Sequence, residues 1–185
     1  MYHFIKIPYY KLDCQAQSYK KVIMPYTYQN KFDTKGEARI NGAQAEEQFK
    51  DALGIFFYAG VRKSNFQEEL QHVDYHCKMQ FKVDVKSIKD SSTIWVEIKN
   101  VQGEKGWLYG SATHFAFERD KYFVMVRKED LIKLVKRLTT KERVQDPKDA
   151  LYKLYSRTKY GRKDLLTKIT PKDLRSIPHV AISKL

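Results

Sequence analysis

The chain has 185 residues, room for one domain with a real core, and its 42% hydrophobic and 14% aromatic content argues against disorder over most of its length. Its 35 Lys+Arg against 22 Asp+Glu leave a net charge of +13, a field that draws polyanions, so nucleic acid is the first partner to expect and an anionic membrane the second. Two cysteines, Cys14 and Cys77, make no disulfide framework, the N-terminus has no signal-peptide pattern, and the longest apolar stretch, Gly54 to Val61, is too short to span a bilayer; a cytoplasmic protein is expected.

Residues 1–40 are aromatic and basic with weak periodicity, an N-terminal extension of open structure ahead of a domain over 41–185. Tyr2, Phe4, Ile5 and Ile7 suit a short strand ended by Pro8, and 26–36 reads as loop. A helix is predicted over 41–53: Asn41 is a good N-cap, Ala45, Phe49, Ala52 and Leu53 form an apolar stripe, and Gly54 is a stop. Ile55 to Val61 reads as a buried strand. Three strands follow: one around Val73-Asp74-Tyr75, one from Met79 to Ser87, and one from Ile94 to Lys99, with residues 89–93 as the turn between the last two. Beyond a turn at 103–106, strands are predicted around His114–Phe117 and Tyr122–Val126, then a helix over 129–138 with Leu131, Leu134, Val135 and Leu138 on one face. Asp146-Pro147 opens a helix carrying Leu151, Leu154 and Tyr155, and Thr170-Pro171 repeats the start signal. The sum is a mixed α/β (α+β) domain with a central mixed sheet flanked by helices.

The chemistry concentrates on the short strands. Asp84 and Lys86 are two apart and leave the same strand face, while Val83 and Val85 point into the core. Glu97 and Lys99 repeat the arrangement on the next strand. If those two strands pair as an antiparallel hairpin, Asp84 sits opposite Glu97, or one even step away, and both acid-x-Lys pairs share a side. His72, Asp74 and His76 share a face of the first strand, and a tight turn near Lys78 brings Asp74 beside Asp84. Converging carboxylates repel unless a cation lies between them. A few hard oxygen ligands with room for water suit Mg²⁺, with Mn²⁺ as a substitute, and Asp74, Asp84 and Glu97 are the predicted ligands. Lys86 beside such an ion can orient an attacking water, and the basic surface can hold a phosphodiester backbone. The plainer reading of any acid-x-Lys triplet is the solvated face of a half-buried strand, with Glu97 simply paired to a neighbouring lysine.

The pattern of Asp74, then Asp84-Val85-Lys86, preceded by a helix carrying Gly42-Ala43-Gln44-Ala45-Glu46, resembles the PD-(D/E)xK nuclease superfamily. Trp95-Val96-Glu97-Ile98-Lys99-Asn100 and the following Gly106-Trp107-Leu108-Tyr109-Gly110 are similar to small phage and prophage nucleases of that group. The resemblance covers roughly half of the chain, from Glu37 to Val126. It implies a restriction-endonuclease-like core, a Mg²⁺ requirement and hydrolysis of DNA, in a host cytoplasm if the chain is phage-encoded. It also implies metal-binding Asp74 and Asp84, a Lys86 that serves the attacking water, and Glu46 approaching from the helix. Glu46 rather than the adjacent Glu47 completes the spacing from Gly42. Val73 stands where the superfamily often has proline.

Further residues are assigned to nucleic acid. Arg157, Lys159, Arg162 and Lys163, with Lys153 and tyrosines 152, 155 and 160, form a basic aromatic cluster that can grip phosphates or be a solvated face. Lys99 and Trp107 can touch DNA, although Trp107 can equally pack in the core. The expected partner is DNA, branched or otherwise structured DNA included; no membrane contact is expected, and a homodimer is left open. The rival is a non-catalytic nucleic-acid-binding protein that keeps the fold. A zinc site at His72, His76 and Cys77 is disfavoured, since no second ligand cluster accompanies it.

Overall fold

Strict alternation in Ile94–Lys99 predicts a strand with two unlike faces, and that segment is β4 of the computed structural model, which describes residues 37–57, 60–77, 81–87, 90–156 and 161–184. In chain order the described elements are α1 (Glu37–Phe57), β1 (Val61–Lys63), α2 (Phe66–Leu70), β2 (Tyr75–Cys77), β3 (Lys82–Lys86) and β4 (Ile94–Lys99). A 3-10 turn at Trp107–Tyr109 leads to β5 (His114–Glu118), β6 (Tyr122–Arg127), α3 (Lys128–Leu138) and β7 (Arg143–Val144). After a second 3-10 turn at Pro147–Asp149 come β8 (Leu154–Tyr155), β9 (Leu165–Ile169), α4 (Pro171–Arg175) and β10 (His179–Ser183). The architecture is mixed α+β. Among the described residues no helix is long and apolar enough to cross a membrane.

The strands form two sheets. One has six strands in the order β1-β2-β3-β5-β6-β10, antiparallel except for the parallel pair β3–β5; the other has four, β4-β9-β8-β7. The predicted hairpin between β3 and β4 does not exist. β3 pairs with β2 and β5, whereas β4 pairs antiparallel with β9, Ile94 opposite Ile169 and Trp95 opposite Lys168. Alternation assigns faces and not partners, and the Leu165–Ile169 strand competes successfully for β4.

Both faces of the six-stranded sheet are covered. Val83, Val85, Ala116, Phe123, Met125 and Ile182 pack under the α1 stripe of Ala45, Phe49, Ala52 and Leu53. Phe115, Phe117, Val124 and Val126 pack on the other face against Leu131, Leu134 and Val135 of α3 and against Ile94, Val96 and Ile169 of the second sheet. β3 is therefore buried on both sides at its centre: Val83, Asp84 and Val85 are all buried. The expectation of an open acid face is thereby corrected, because Asp84 aligns with Phe115 on the face that the second sheet covers.

Several predicted boundaries shift for identifiable reasons. Helix α1 (Glu37–Phe57) contains the expected cap Asn41 within it and runs through Gly54, so residues 55–57 are helical, and among the described residues of the predicted 55–61 strand only Val61 is strand, in β1. An apolar run fits either state, and one helical glycine costs only about 1 kcal/mol. The Asp146-Pro147 signal opens a single 3-10 turn, with the Asp146 side chain accepting from the Lys148 N–H; Leu154 and Tyr155 lie in β8 instead of a helix. The Thr170 cap holds: its hydroxyl accepts from the Asp173 N–H, and the Asp173 carboxylate accepts in return. The reading of Tyr2–Ile7 as strand and of residues 26–36 as loop lies outside the described residues.

Gly42 sits inside α1, and a Cβ built there meets no atom within 4 Å. Gly42→Ala is expected to stabilise the fold by about 0.5–1 kcal/mol, because alanine loses less backbone entropy in a helix. The midpoint of thermal unfolding should rise by about 2–3 °C.

Candidate active site

The antiparallel pairing of β2 with β3 puts Tyr75 opposite Val83, and the Asp74 N–H donates to the Val83 carbonyl at 2.7 Å. That register carries Asp74 to the position beside Asp84, as the sequence anticipates. The Asp74 Oδ2 accepts from the Val85 N–H at 2.5 Å, which fixes the carboxylate across the strand from Asp84. Asp84 is 2% exposed, and its Oδ1 lies 2.5 Å from the Lys86 Nζ. Its Oδ2 is buried and has no hydrogen-bond partner.

Electrostatics follow from this crowding. Burial raises the Asp84 carboxyl to about 7 against the opposing charge of Lys86, and the neighbouring Asp74 carboxylate adds to the rise. Asp74 is also raised, chiefly by burial, against the Val85 N–H and Lys86. Two facing carboxylates cannot both ionise freely, and burial weighs hardest on Asp84. Glu46 reaches the cluster from α1. Burial and the charge of Asp74 push it up to about 6, while Lys63, with its Nζ 3.5 Å from the Glu46 Oε2, opposes the shift. Glu47 instead is exposed and pairs with Lys50 at 2.5 Å, so Glu46 is the helical acid that meets the site.

Glu97 arrives from the other sheet. Gly106 approaches β4 so closely that a Cβ would come within 2.6 Å of the Glu97 carbonyl oxygen, and its N–H donates to the Ile98 carbonyl. The 3-10 turn is thereby held against β4, and the Trp107 N–H donates to the Glu97 Oε2 at 3.1 Å. Burial raises the Glu97 carboxyl, and Lys86 and Arg162 oppose that rise while Asp164 adds to it. Lys86 is the hub: it contacts Asp84, lies 4.9 Å from the centre of the Trp107 ring, and acts electrostatically on Asp74 and Glu97.

The other predicted residues scatter. Trp107 is nearly buried, packed edge-on to Phe115 at 4.9 Å, and forms a wall of the site. Lys99 and Lys163 are exposed, and Lys153 pairs with Glu142 at 2.6 Å. Arg162 does not present a free guanidinium to solvent; it lies 3.2 Å from the buried Asp164 carboxylate. Arg157 and Lys159 lie outside the described residues. His72, Asp74 and His76 do not share a strand, because His72 has a φ of 58° in the turn before β2, while the His76 Nε2 lies 3.0 Å from the Glu68 Oε1. Sequence reasoning missed the Arg162–Asp164 pair, whose only sequence signal is an acid ahead of an alternating apolar run.

Among the described residues no three His, Cys, Asp or Glu side chains form a ready-made cation cage. The predicted trio of Asp74, Asp84 and Glu97 is therefore not assembled as one ligand set; Asp74 and Asp84 stand together, and Glu97 shares with them only the electrostatic influence of Lys86. The partnerless Asp84 Oδ2 still fits a small hard cation, since Mg²⁺ commonly takes one or two carboxylates and keeps several waters. Without a cation the pair depends on protons. Asp84 has an ordinary value of 3.8 and a folded value of about 7, so the folded state binds the extra proton between them. Stability of the metal-free protein should be full below pH 4 as far as this group is concerned, and decline as pH rises from about 4 to about 7. Chemical denaturation in chelator across that range checks it, and added Mg²⁺ should restore more stability at pH 8 than at pH 5.

No family model matches the chain, and no curated protein or solved structure matches it.

Proposed function

We propose that the protein hydrolyses phosphodiester bonds in DNA, with Asp74 and Asp84 holding Mg²⁺ (or Mn²⁺) and Lys86 positioning the attacking water. The observation that carries this is the buried, partnerless Asp84 Oδ2, set between a second carboxylate and an amine. Such an arrangement is unfavourable for stability alone, and a cation between the acids removes the conflict. When bound, the ion would neutralise charge developing on the phosphate and acidify a water. The Lys86 ammonium, held by Asp84, can donate to the water oxygen and keep its lone pair toward phosphorus. Glu46, its carboxyl raised to about 6 by burial and Asp74, is a stronger base than an ordinary carboxylate and can accept a hydrogen bond or a proton from a water on the Asp74 side. Glu97, on the opposite sheet, feels the Lys86 charge and can hold a water of the ion's shell. The net charge of +13 would gather the DNA backbone around this spot. We read the mixed sheet with α1 on one face as the counterpart of a restriction-endonuclease-like core, in line with the resemblance of Asp84-Val85-Lys86 to the superfamily motif.

The test is incubation of the purified chain with single-stranded, duplex and branched DNA, in Mg²⁺ and in chelator. Strand scission in Mg²⁺ and none in chelator is the expected result. Binding that is equal in both conditions, with all DNA left intact, would remove the enzyme and leave a non-catalytic DNA-binding protein.

A further inference from the structure

Next to Lys86 the two sheets part to leave a cleft of about 560 Å³. That is within the size range of small-molecule pockets, roughly 300–1,000 Å³. Lys86 and Glu97 form its junction with the acid cluster, Trp95, Trp107, Phe117 and Tyr155 supply flat aromatic lining, and Asp164 lies in its wall. Trp95 and Glu97 share one face of β4 and are half-buried, while Ile94 and Val96 go to the core. The Trp95 and Tyr155 rings are 5.4 Å apart.

The chemistry of the wall is selective. Asp164 is 4% exposed; its Oδ2 faces Arg162 at 3.2 Å, and its Oδ1 is buried without a hydrogen-bond partner. A carboxylate paired with a guanidinium is an acceptor only, so whatever satisfies Oδ1 must bring a donor. The charged lining is mixed, Lys86, Arg119 and Arg162 against Asp90, Glu97, Glu118 and Asp164, so the interior favours neither a strong anion nor a strong cation. A flat, uncharged, donor-bearing group is what remains.

We propose that this cleft takes a single unpaired nucleobase bearing an exocyclic amino group, which donates to the Asp164 Oδ1 while the ring lies among the aromatic side chains. The proposal rests on the reading of the adjacent cluster as a DNA-cleaving site. Cytosine, adenine and guanine offer the amine; thymine has only its N3–H, flanked by two carbonyl oxygens that the carboxylate repels. A base enters such a pocket only out of the stack, so single strands, frayed ends and mismatches are preferred over intact duplex.

Binding in chelator separates this from catalysis. Single-stranded homopolymers of about eight nucleotides, within the usual site size, are titrated while tryptophan fluorescence is followed. Oligo-dC and oligo-dA should bind about tenfold tighter than oligo-dT, the discrimination of one good base contact. Asp164→Asn should erase that preference, because an amide can also donate to a thymine carbonyl. Gly42 lines the cleft with open space beyond its Cα, so Gly42→Leu should weaken oligo-dC binding about tenfold without lowering the unfolding midpoint, the loss expected when one stacked base is shut out. Equal affinity for oligo-dT in the wild type, or unchanged oligo-dC binding in Gly42→Leu, overturns the pocket. Cleavage in Mg²⁺ with no base preference would keep the nuclease and remove the pocket. Base-selective binding with no cleavage in any divalent ion would keep the pocket and remove the nuclease.

Discussion

Asp84→Asn is expected to lower DNA cleavage by about three orders of magnitude while raising the stability of the metal-free protein at pH 8. The first effect follows if Asp84 helps hold a cation that supplies several kcal/mol of charge stabilisation in the transition state, with each tenfold in rate worth about 1.4 kcal/mol. The second follows from the direction of the Asp84 shift. Burial and Asp74 raise its carboxyl to about 7 despite the contact with Lys86, so the fold as a whole disfavours the charged form. An amide of the same shape carries no charge to desolvate and can donate to the Asp74 carboxylate. At pH 5 the wild-type acid is already protonated and the two proteins should unfold at similar temperatures. Thermal unfolding in chelator at pH 5 and pH 8, beside a cleavage assay in Mg²⁺, reads both effects. Retained cleavage, or destabilisation at both pH values, would contradict the assignment.

Lys86→Met should separate ion binding from turnover. The methionine keeps much of the apolar stem against Trp107 but removes the ammonium that now sits 2.5 Å from the Asp84 Oδ1. Lys86 and a divalent ion compete for the same carboxylate, so the variant should need no more Mg²⁺ than the wild type for half-maximal activity. Its maximal rate should nevertheless fall by about 10²-fold or more, the usual contribution of a positioned proton-handling or water-orienting group. A Mg²⁺ titration of cleavage rate, with a parallel titration of the unfolding temperature, distinguishes this from a merely structural lysine. A lysine with only a structural role would change the unfolding temperature and leave the rate at saturating Mg²⁺ intact.

What the sequence makes legible is local. The alternation of Ile94–Lys99 gives the bounds of β4, and the apolar spacing of Leu131, Leu134 and Val135 gives α3 to within one residue. The two-residue spacing of Asp84 and Lys86 places both on one face, where they do meet, and the short link to β2 brings Asp74 alongside. Partner choice is not local. Nothing in the Ile94–Lys99 pattern says that its partner is Leu165–Ile169, so Glu97 arrives near Lys86 from a second sheet and not across a hairpin. Arg162 shows why charge counting misleads: in sequence it belongs to a basic run, in space it is half of a buried pair with Asp164. The all-apolar segment after Gly54 was ambiguous in principle, because a buried helix end and a buried strand have the same composition.

The pairing of β4 with β9 also bears on when the wall of the cleft can form during synthesis. The wall bearing Trp95 and Glu97 is anchored to a strand synthesised some 70 residues later, by the positions of Ile94 and Ile169. A chain cut ahead of Leu165 would still hold Asp74, Asp84 and Lys86 on adjoining segments but would lack the β9 partner of the wall that bears Glu97. Such a distant pairing delays that wall until Leu165–Ile169 has been made, so under the proposed nuclease function the acid cluster would be assembled before the cleft beside it.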